Sequence, residues 1–280
     1  MRKFLSNISR SVKEATLPVW TLPMKGASHS PLSGREDGTV VSLTTFPARA
    51  GRLWIVLESL FRQTVLPDRI VLVITEEEYP EGAAGLPESV RKYEPLGLEI
   101  VTSPLNLRCH NKYFHALQAY PEALVVTVDD DCYYRRDTIA RLLGLHREFP
   151  DAVCCNIAAK IDPGHFHEYS FWKKSVRRSA PDSRNVALGF AGVLYPPHMP
   201  ASFFDAPLAM SLAPTTDDLW LKAVELTEGI GVACGSFFPK PLTIKSSQKV
   251  SLRSLNKGTE RGNDRQWEAL DAHFKLEEMI

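Results

Sequence analysis

Residues 123–134 read ALVVTVDDDCYY, and this stretch is the strongest indicator of the fold. Its apolar residues Leu124, Val125, Val126 and Val128 are typical of a strand buried on both faces. Three aspartates, residues 129–131, follow at once. Adjacent carboxylates are costly to bury unless a cation or hydrogen-bond donors compensate their charge. The stretch is therefore either a solvated turn or the edge of a cation-binding site.

Strand and helix signals alternate around this stretch. Apolar strand patterns occur at 40–46, 69–75, 98–103, 123–128 and 151–159, and helical spacing occurs at 53–61, 111–120 and 139–146. The alternation predicts βαβ units and an α/β fold, with a mostly parallel sheet flanked by helices. Ligands bind beyond the carboxyl ends of such strands. TTFPAR after the first strand and the aspartates after the fourth are both expected at that edge.

The composition argues against a nucleic-acid-binding protein and against a disulfide-stabilised one. The chain has 280 residues with 33 basic and 33 acidic side chains, so its net charge gives no reason to expect nucleic-acid binding. Five cysteines without a C-x-x-C pair argue against a disulfide framework and favour a cytoplasmic setting. Residues 2–14 have the spacing of a basic amphipathic helix. Two interpretations of this segment stay open: a peripheral contact with the inner face of the cytoplasmic membrane, and a leader that makes no membrane contact.

The aspartates have the chemistry of a metal site. Side chains alternate faces along an extended segment, so Asp129 and Asp131 are expected to share one side while Asp130 points elsewhere. Two carboxylate ligands suit Mg²⁺ or Mn²⁺, which keep other positions for water or phosphate. A solvated β-turn is the alternative. The position at the end of a buried strand favours the metal site.

TVDDDCYY resembles the Asp-x-Asp signature of GT-A-fold glycosyltransferases, and residues 41–74 and 106–118 resemble the nucleotide-binding opening and the Lys-bearing helix of the same superfamily. The resemblance covers residues 40–159 and is closest to bacterial family 2-like enzymes of polysaccharide assembly. It implies an inverting, metal-dependent transfer of a sugar from a UDP-sugar to a glycan or lipid-linked saccharide. It places Asp131 on the metal, Asp129 on metal or ribose, and Asp130 on the donor's sugar or ribose.

Basic residues at the same sheet edge are candidates for donor binding. A nucleoside diphosphate needs cationic donors as well as a metal. Arg49 is the first choice for the nucleotide, Thr45 offers a hydroxyl near the base or ribose, and Lys112 is the best diphosphate candidate. Arg108 lies in the same region. Any one of the basic residues is, alternatively, an ordinary surface residue.

The sequence TTDDLW offers a general base. Inverting transfer needs a base on the acceptor hydroxyl, and a helix N-terminus favours an ionised carboxylate. Asp217 and Asp218 both qualify, and the resemblance prefers Asp218 as the last acid of the motif; plain N-capping is the alternative. Gly189 and Gly192 resemble an acceptor-side segment in which glycine permits close approach of a sugar, although a core strand of small residues is equally compatible.

These assignments imply one catalytic domain with three parts. Residues 1–38 form a leader and linker, 39–160 the nucleotide-sugar-binding half, and 161–280 the half that binds the acceptor and carries the base. One alternative is a nucleotidyltransferase, which would usually carry a Gly-rich phosphate loop, whereas TTFPARAGR has only Gly51. The other is a non-catalytic carbohydrate-binding protein, against which the intact aspartates argue.

Overall fold

A computed structural model describes residues 12–14, 16, 29–174, 176–237, 240–244 and 262–280. Apart from residues 12–14, the predicted amphipathic helix at 2–14 lies outside these residues. The strands are β1 (Thr39–Thr44), β2 (Arg69–Thr75), β3 (Leu98–Ser103), β4 (Leu124–Thr127), β5 (Cys132–Tyr133), β6 (Val153–Cys155), β7 (Ala158–Lys160), β8 (Lys173–Lys174), β9 (Ser179–Asp182), β10 (Asn185–Ala187), β11 (Val193–Tyr195), β12 (Val232–Cys234) and β13 (Leu242–Thr243). The helices are α1 (Pro47–Leu60), α2 (Glu88–Arg91), α3 (Asn111–Ala119), α4 (Thr138–Glu148), α5 (Ala206–Leu212), α6 (Asp217–Thr227) and α7 (Gly262–Phe274).

The centre of the molecule is an eight-stranded sheet in the order β3-β2-β1-β4-β11-β6-β12-β9. The pairs β3–β2, β2–β1, β1–β4 and β6–β12 are parallel, whereas β11 runs antiparallel to both of its neighbours and β9 antiparallel to β12. A three-stranded sheet β10-β7-β8 and a two-stranded pair β13-β5 complete the β-structure. The predicted α/β fold with a mostly parallel sheet is confirmed.

Helices cover both faces of this sheet. Successive residues of β1 alternate between two buried clusters: Val40 belongs to the cluster that contains Tyr113 of α3, and Val41 to the cluster that contains Leu53 of α1. This alternation is the period-2 geometry of a strand buried on both sides. None of the helices in the described part of the chain has the length and apolarity of a membrane span.

Two features of the second half differ from the sequence prediction. The run at 151–159 is two strands in different sheets, because the chain leaves the central sheet at Asn156, whose backbone bonds to Gly192 and Phe237 instead of continuing the ladder. In addition, β11 enters the sheet antiparallel between β4 and β6. The central sheet therefore takes strands from both sides of residue 160.

Candidate active site

The parallel pairing of β1 with β4 brings two loops to one edge of the sheet. Thr45, just after β1, donates its hydroxyl to Asp130 Oδ2 at 2.7 Å. Arg49, in the first turn of α1, pairs through Nη1 with Asp130 and, at 3.3 Å, with Asp131. The two loops that the sequence places at one edge are thus in direct contact.

The expected alternation of the aspartates is wrong. Asp130 and Asp131 both contact Arg49, while Asp129 pairs with Lys112. The physical reason is that β4 ends at Thr127, so residues 129–131 lie in the connection to β5 and do not follow strand geometry. Asp130 is only 5% exposed, and burial raises its pKa to about 6 against the opposing effect of Arg49.

Lys112 joins the aspartates to the start of α6. It lies in the first turn of α3, and its Nζ is 2.7 Å from Asp129 Oδ1 and 2.8 Å from Asp217 Oδ2. Burial lowers the pKa of this amine, but Asp129, Asp217 and Asp218 outweigh burial and hold the pKa well above its usual value. Lys112 is therefore a fixed cation between Asp129 on one side and Asp217 and Asp218 on the other.

Asp218 does not cap its own helix. Its Oδ1 accepts the backbone N–H of Gly189 at 3.0 Å, and the N-cap residue Thr216 makes no side-chain capping bond. Burial, followed by the neighbouring Asp217 carboxylate, raises the pKa of Asp218 to about 8 despite Lys112 and the Gly189 N–H. In the unliganded protein, burial therefore opposes the ionised form that a helix terminus favours. We refer to residues 129–131, 217 and 218 as the carboxylate cluster.

Tyr134 is a site residue that the sequence did not single out. Its buried hydroxyl accepts the backbone N–H of Asp129 at 2.8 Å and donates to Phe190 O at 3.2 Å. This hydroxyl ties the aspartate segment to the glycine-bearing turn at 189–192. The second tyrosine of CYY was the available signal, but an aromatic residue after a strand is usually a core residue.

The remaining predicted residues lie in different settings. Gly192 has a left-handed φ of +92°, and a Cβ there would lie 3.2 Å from Asn156 Nδ2. The backbone conformation and the close packing at this position therefore favour glycine. Arg108 is exposed and also has a positive φ, +52°. Its backbone N–H donates to Asn106. Trp220, which follows the two acids at the start of α6, is 0% exposed and belongs to the core.

Gly189 leads to a testable prediction. A Cβ at this position would lie 2.9 Å from Lys112 Nζ and 3.0 Å from Asp218 Oδ1. We expect Gly189→Ala to displace both groups and to lower the initial rate of the reaction at this site by about 10- to 100-fold. The matched control is Gly51→Ala in α1, where nothing lies within 4 Å. Equal rates in the two variants would show that the cluster tolerates the displacement.

The chain is similar to known glycosyltransferases in sequence and in fold. The family described as "Glycosyl transferase family 2" matches residues 43–191. No curated protein matches the chain. Similar solved structures include S. aureus TarS 1-349 in complex with UDP, with 14% identity, TM-score 0.48, and 85% of this chain and 72% of that chain covered. Another is the mannosyltransferase PcManGT from Pyrobaculum calidifontis in complex with GDP-Man and Mn²⁺, with 14% identity, TM-score 0.41, and 96% and 80% covered.

Proposed function

The chain belongs to glycosyl transferase family 2 and is a glycosyltransferase, and we propose that it moves a sugar, with inversion, from a UDP-sugar to a glycan or lipid-linked saccharide in surface polysaccharide assembly. The observation that carries the proposal is that Lys112 bridges Asp129 to Asp217, with Asp218 beside it. The donor-side acids and the proposed base therefore meet around one cation. Inverting transfer needs a base on the acceptor hydroxyl and positive charge on the leaving diphosphate, and the short distance between these groups supports the proposal.

We assign a divalent cation, Mn²⁺ or Mg²⁺, to the donor side of the carboxylate cluster. The carboxylates of Asp129 and Asp131 are 29% and 13% exposed, and such oxygen ligands are the ones that these cations prefer. The five carboxylates of residues 129–131, 217 and 218 lie around two cations, Lys112 and Arg49, so the cluster has an excess of formal negative charge. When bound, the cation would supply positive charge to the departing diphosphate.

The basic residues of the site divide between the parts of the donor. We assign Arg49 and Thr45 to the nucleotide, because they hold Asp130 at the edge formed by β1 and β4. We assign Lys112 to the diphosphate, since its amine is already fixed between the metal side and the base side. Exposed Arg108 is assigned to the outer edge of the donor.

The proposed base is Asp218, with Asp217 as its neighbour. Because Gly189 N–H holds Oδ1, Oδ2 is the atom assigned to take the proton of the acceptor hydroxyl. As that proton moves to Asp218, the acceptor oxygen bonds to the sugar carbon and the bond from that carbon to the diphosphate oxygen breaks. A pKa of about 8 lies near working pH, which suits a group that must accept a proton. Gly189 and Gly192 are assigned to the acceptor side.

The decisive experiment is calorimetric binding of UDP with and without Mn²⁺. We expect Mn²⁺ to strengthen binding to the parent chain, and Asp131→Ala to weaken binding in Mn²⁺ by about 100-fold, because a ligand of the metal bridge is lost. The matched control is Asp151→Ala, which removes an exposed acid elsewhere. GDP serves as a second nucleotide with the same diphosphate. Equal UDP binding without metal and in Asp131→Ala would refute the metal-bridged donor site.

A further inference from the structure

Three side chains with metal-binding atoms meet where α7 contacts the segment at residues 163–172. They are His167, Asp271 near the end of α7, and Glu277 in a short 3₁₀ helix, Leu276–Met279. A ring nitrogen of the histidine and one carboxylate oxygen of each acid all lie within 4.8 Å of one another. The group shares no residue with the carboxylate cluster, so the proposed donor site does not account for it.

The turn after α7 orients the aspartate. Lys275 has a left-handed φ of +58°, and the chain folds back so that the Glu277 backbone N–H donates to Asp271 Oδ1 at 2.9 Å. The second oxygen, Oδ2, faces His167, whose Nε2 lies 2.8 Å away. Outer contacts of this kind fix the direction of a metal ligand. Asp271 is therefore held with one oxygen directed at the histidine.

Aromatic packing fixes the segment that carries the histidine. Phe166 and Trp172 lie on either side of His167 in the sequence, and both contact Trp267 of α7, with ring centroids 5.5 and 5.1 Å apart. Trp267 is fully buried. Because closely packed interior side chains keep fixed positions, the histidine and the acid of α7 belong to segments with a fixed relative position.

The two acids are not compensated by a fixed cation. Within the described ranges, no lysine or arginine pairs with Asp271 or Glu277, and His167 is the only side chain bonded to either acid. Neighbouring carboxylates repel one another, and an opposite charge within about 4–6 Å favours their ionised form. A bound dication would supply that charge to both acids at once.

The kinds of ligand atom identify the class of metal. Zn²⁺ binds imidazole nitrogen and carboxylate oxygen at about 2.0–2.2 Å, usually with four ligands, whereas Mg²⁺ and Ca²⁺ prefer oxygen alone. In a tetrahedral zinc site the ligand atoms are therefore about 3.4 Å apart. The 2.8 Å pair of His167 and Asp271 is near this value, and the exposed Glu277 side chain can rotate toward them. Three protein ligands leave the fourth position for water.

We propose that His167, Asp271 and Glu277 form a zinc site that ties α7 and the 3₁₀ helix to the segment that carries the histidine. The zinc site goes beyond the proposed function and does not depend on it. The first turn of α7 bonds through Gln266 to Thr215, just before α6. Zinc would therefore stabilise the helix that contacts the start of the base-bearing α6, and its role there is structural and not catalytic.

The test is calorimetric titration of the full chain with ZnCl₂ in excess Mg²⁺, which occupies sites built from oxygen alone. We expect a single Zn²⁺ to bind, the Tm to rise on binding, and the ring resonances of His167 to shift in a ¹H–¹⁵N spectrum. His167→Gln, Asp271→Asn and Glu277→Gln should each weaken zinc binding by at least about tenfold, because loss of even an outer contact of a metal site has this effect.

Two variants make the comparison sharp. The Glu277 side chain has no ion pair or hydrogen bond among the described residues, so Glu277→Gln should leave the Tm in EDTA equal to that of the parent. His165→Gln is the matched control, because His165 lies two residues from His167 but pairs with Glu168 and stacks on Phe171. This control should bind zinc as the parent does.

The outcomes separate this site from the donor site. Asp131→Ala should bind zinc as the parent does, whatever its effect on UDP binding. If zinc binding is lost in Asp131→Ala and kept in Glu277→Gln, the ion belongs to the carboxylate cluster and the zinc site is refuted. If no zinc binds, or if all three ligand variants bind it as the parent does, His167 and Asp271 form an ordinary ion pair, and the proposal is overturned.

Discussion

Asp218→Asn is expected to abolish sugar transfer while leaving UDP binding in Mn²⁺ unchanged. An amide keeps the oxygen that accepts the Gly189 N–H, but it cannot take a proton from the acceptor hydroxyl. The loss of a general base lowers the turnover rate by about 10²- to 10⁴-fold. Turnover is measured by release of UDP and by formation of glycan product. Retained turnover would move the role of base to Asp217 or to another residue.

The pH profile of the parent chain follows from the same group. Because burial raises the pKa of Asp218 to about 8, the metal-free protein holds it protonated at neutral pH, and the base form increases as pH rises through 8. Since kcat/KM reports the pKa of the free enzyme, we expect it to increase with pH and to level off above about 8. A rate that is flat from pH 6 to 9 would contradict Asp218 as the base.

Asp218→Asn is also expected to stabilise the fold. An unfolded aspartate has a pKa of about 3.9, so the folded protein binds the extra proton and loses stability as pH rises from about 4 to about 8. Asp218→Asn removes this pH dependence. Its free energy of unfolding should exceed that of the parent least near pH 4, and by at least about 1 kcal/mol at pH 8 in EDTA. Asp217→Asn, which breaks the 2.8 Å pair with Lys112, should destabilise instead. Urea unfolding of the three proteins at both pH values measures the contrast.

Much of the first half could be predicted from the sequence. The bounds of β2 and β3 agree with the predicted 69–75 and 98–103, because apolar runs there are sharply bounded by charged and turn-forming residues. The second half gave weaker signals. The apolar run at 151–159 contains no Gly or Pro to mark the change of sheet at Asn156. The antiparallel entry of β11 depends on which strands are neighbours, and local sequence does not specify that pairing.

The sequence predicted which residues lie near one another in the site better than it predicted which of them are in contact. Residues after β1 and β4 had to meet, because parallel neighbours end at the same edge. Which acid pairs with which base depends on loop geometry outside the strands, and Arg49 therefore contacts Asp130 and Asp131 against the expected alternation. The roles of these residues stay predictions, as does the division of the domain at residue 160.

Lys112→Met is expected to be the most destabilising substitution in the site. Methionine matches the length and apolar body of lysine, so the variant chiefly removes the charge that bridges Asp129 and Asp217. Breaking a buried ion pair from one side typically costs about 3–5 kcal/mol, which for a chain of this size lowers Tm by on the order of 10 °C. Differential scanning calorimetry in EDTA measures the loss.

The response to Mn²⁺ distinguishes an electrostatic role in the site from simple packing. Without Lys112 the carboxylate cluster has one positive charge fewer, so the variant should bind Mn²⁺ more tightly and gain more in Tm from it than the parent does. Lys222→Met is the matched control, because Lys222 is equally buried but pairs with Glu225 and Asn185 in the core. It should lose stability in EDTA and respond to Mn²⁺ as the parent does. If Mn²⁺ raises the Tm of the two variants equally, the charge of Lys112 does not affect a cation site. Lys112 would then contribute only a buried ion pair to stability.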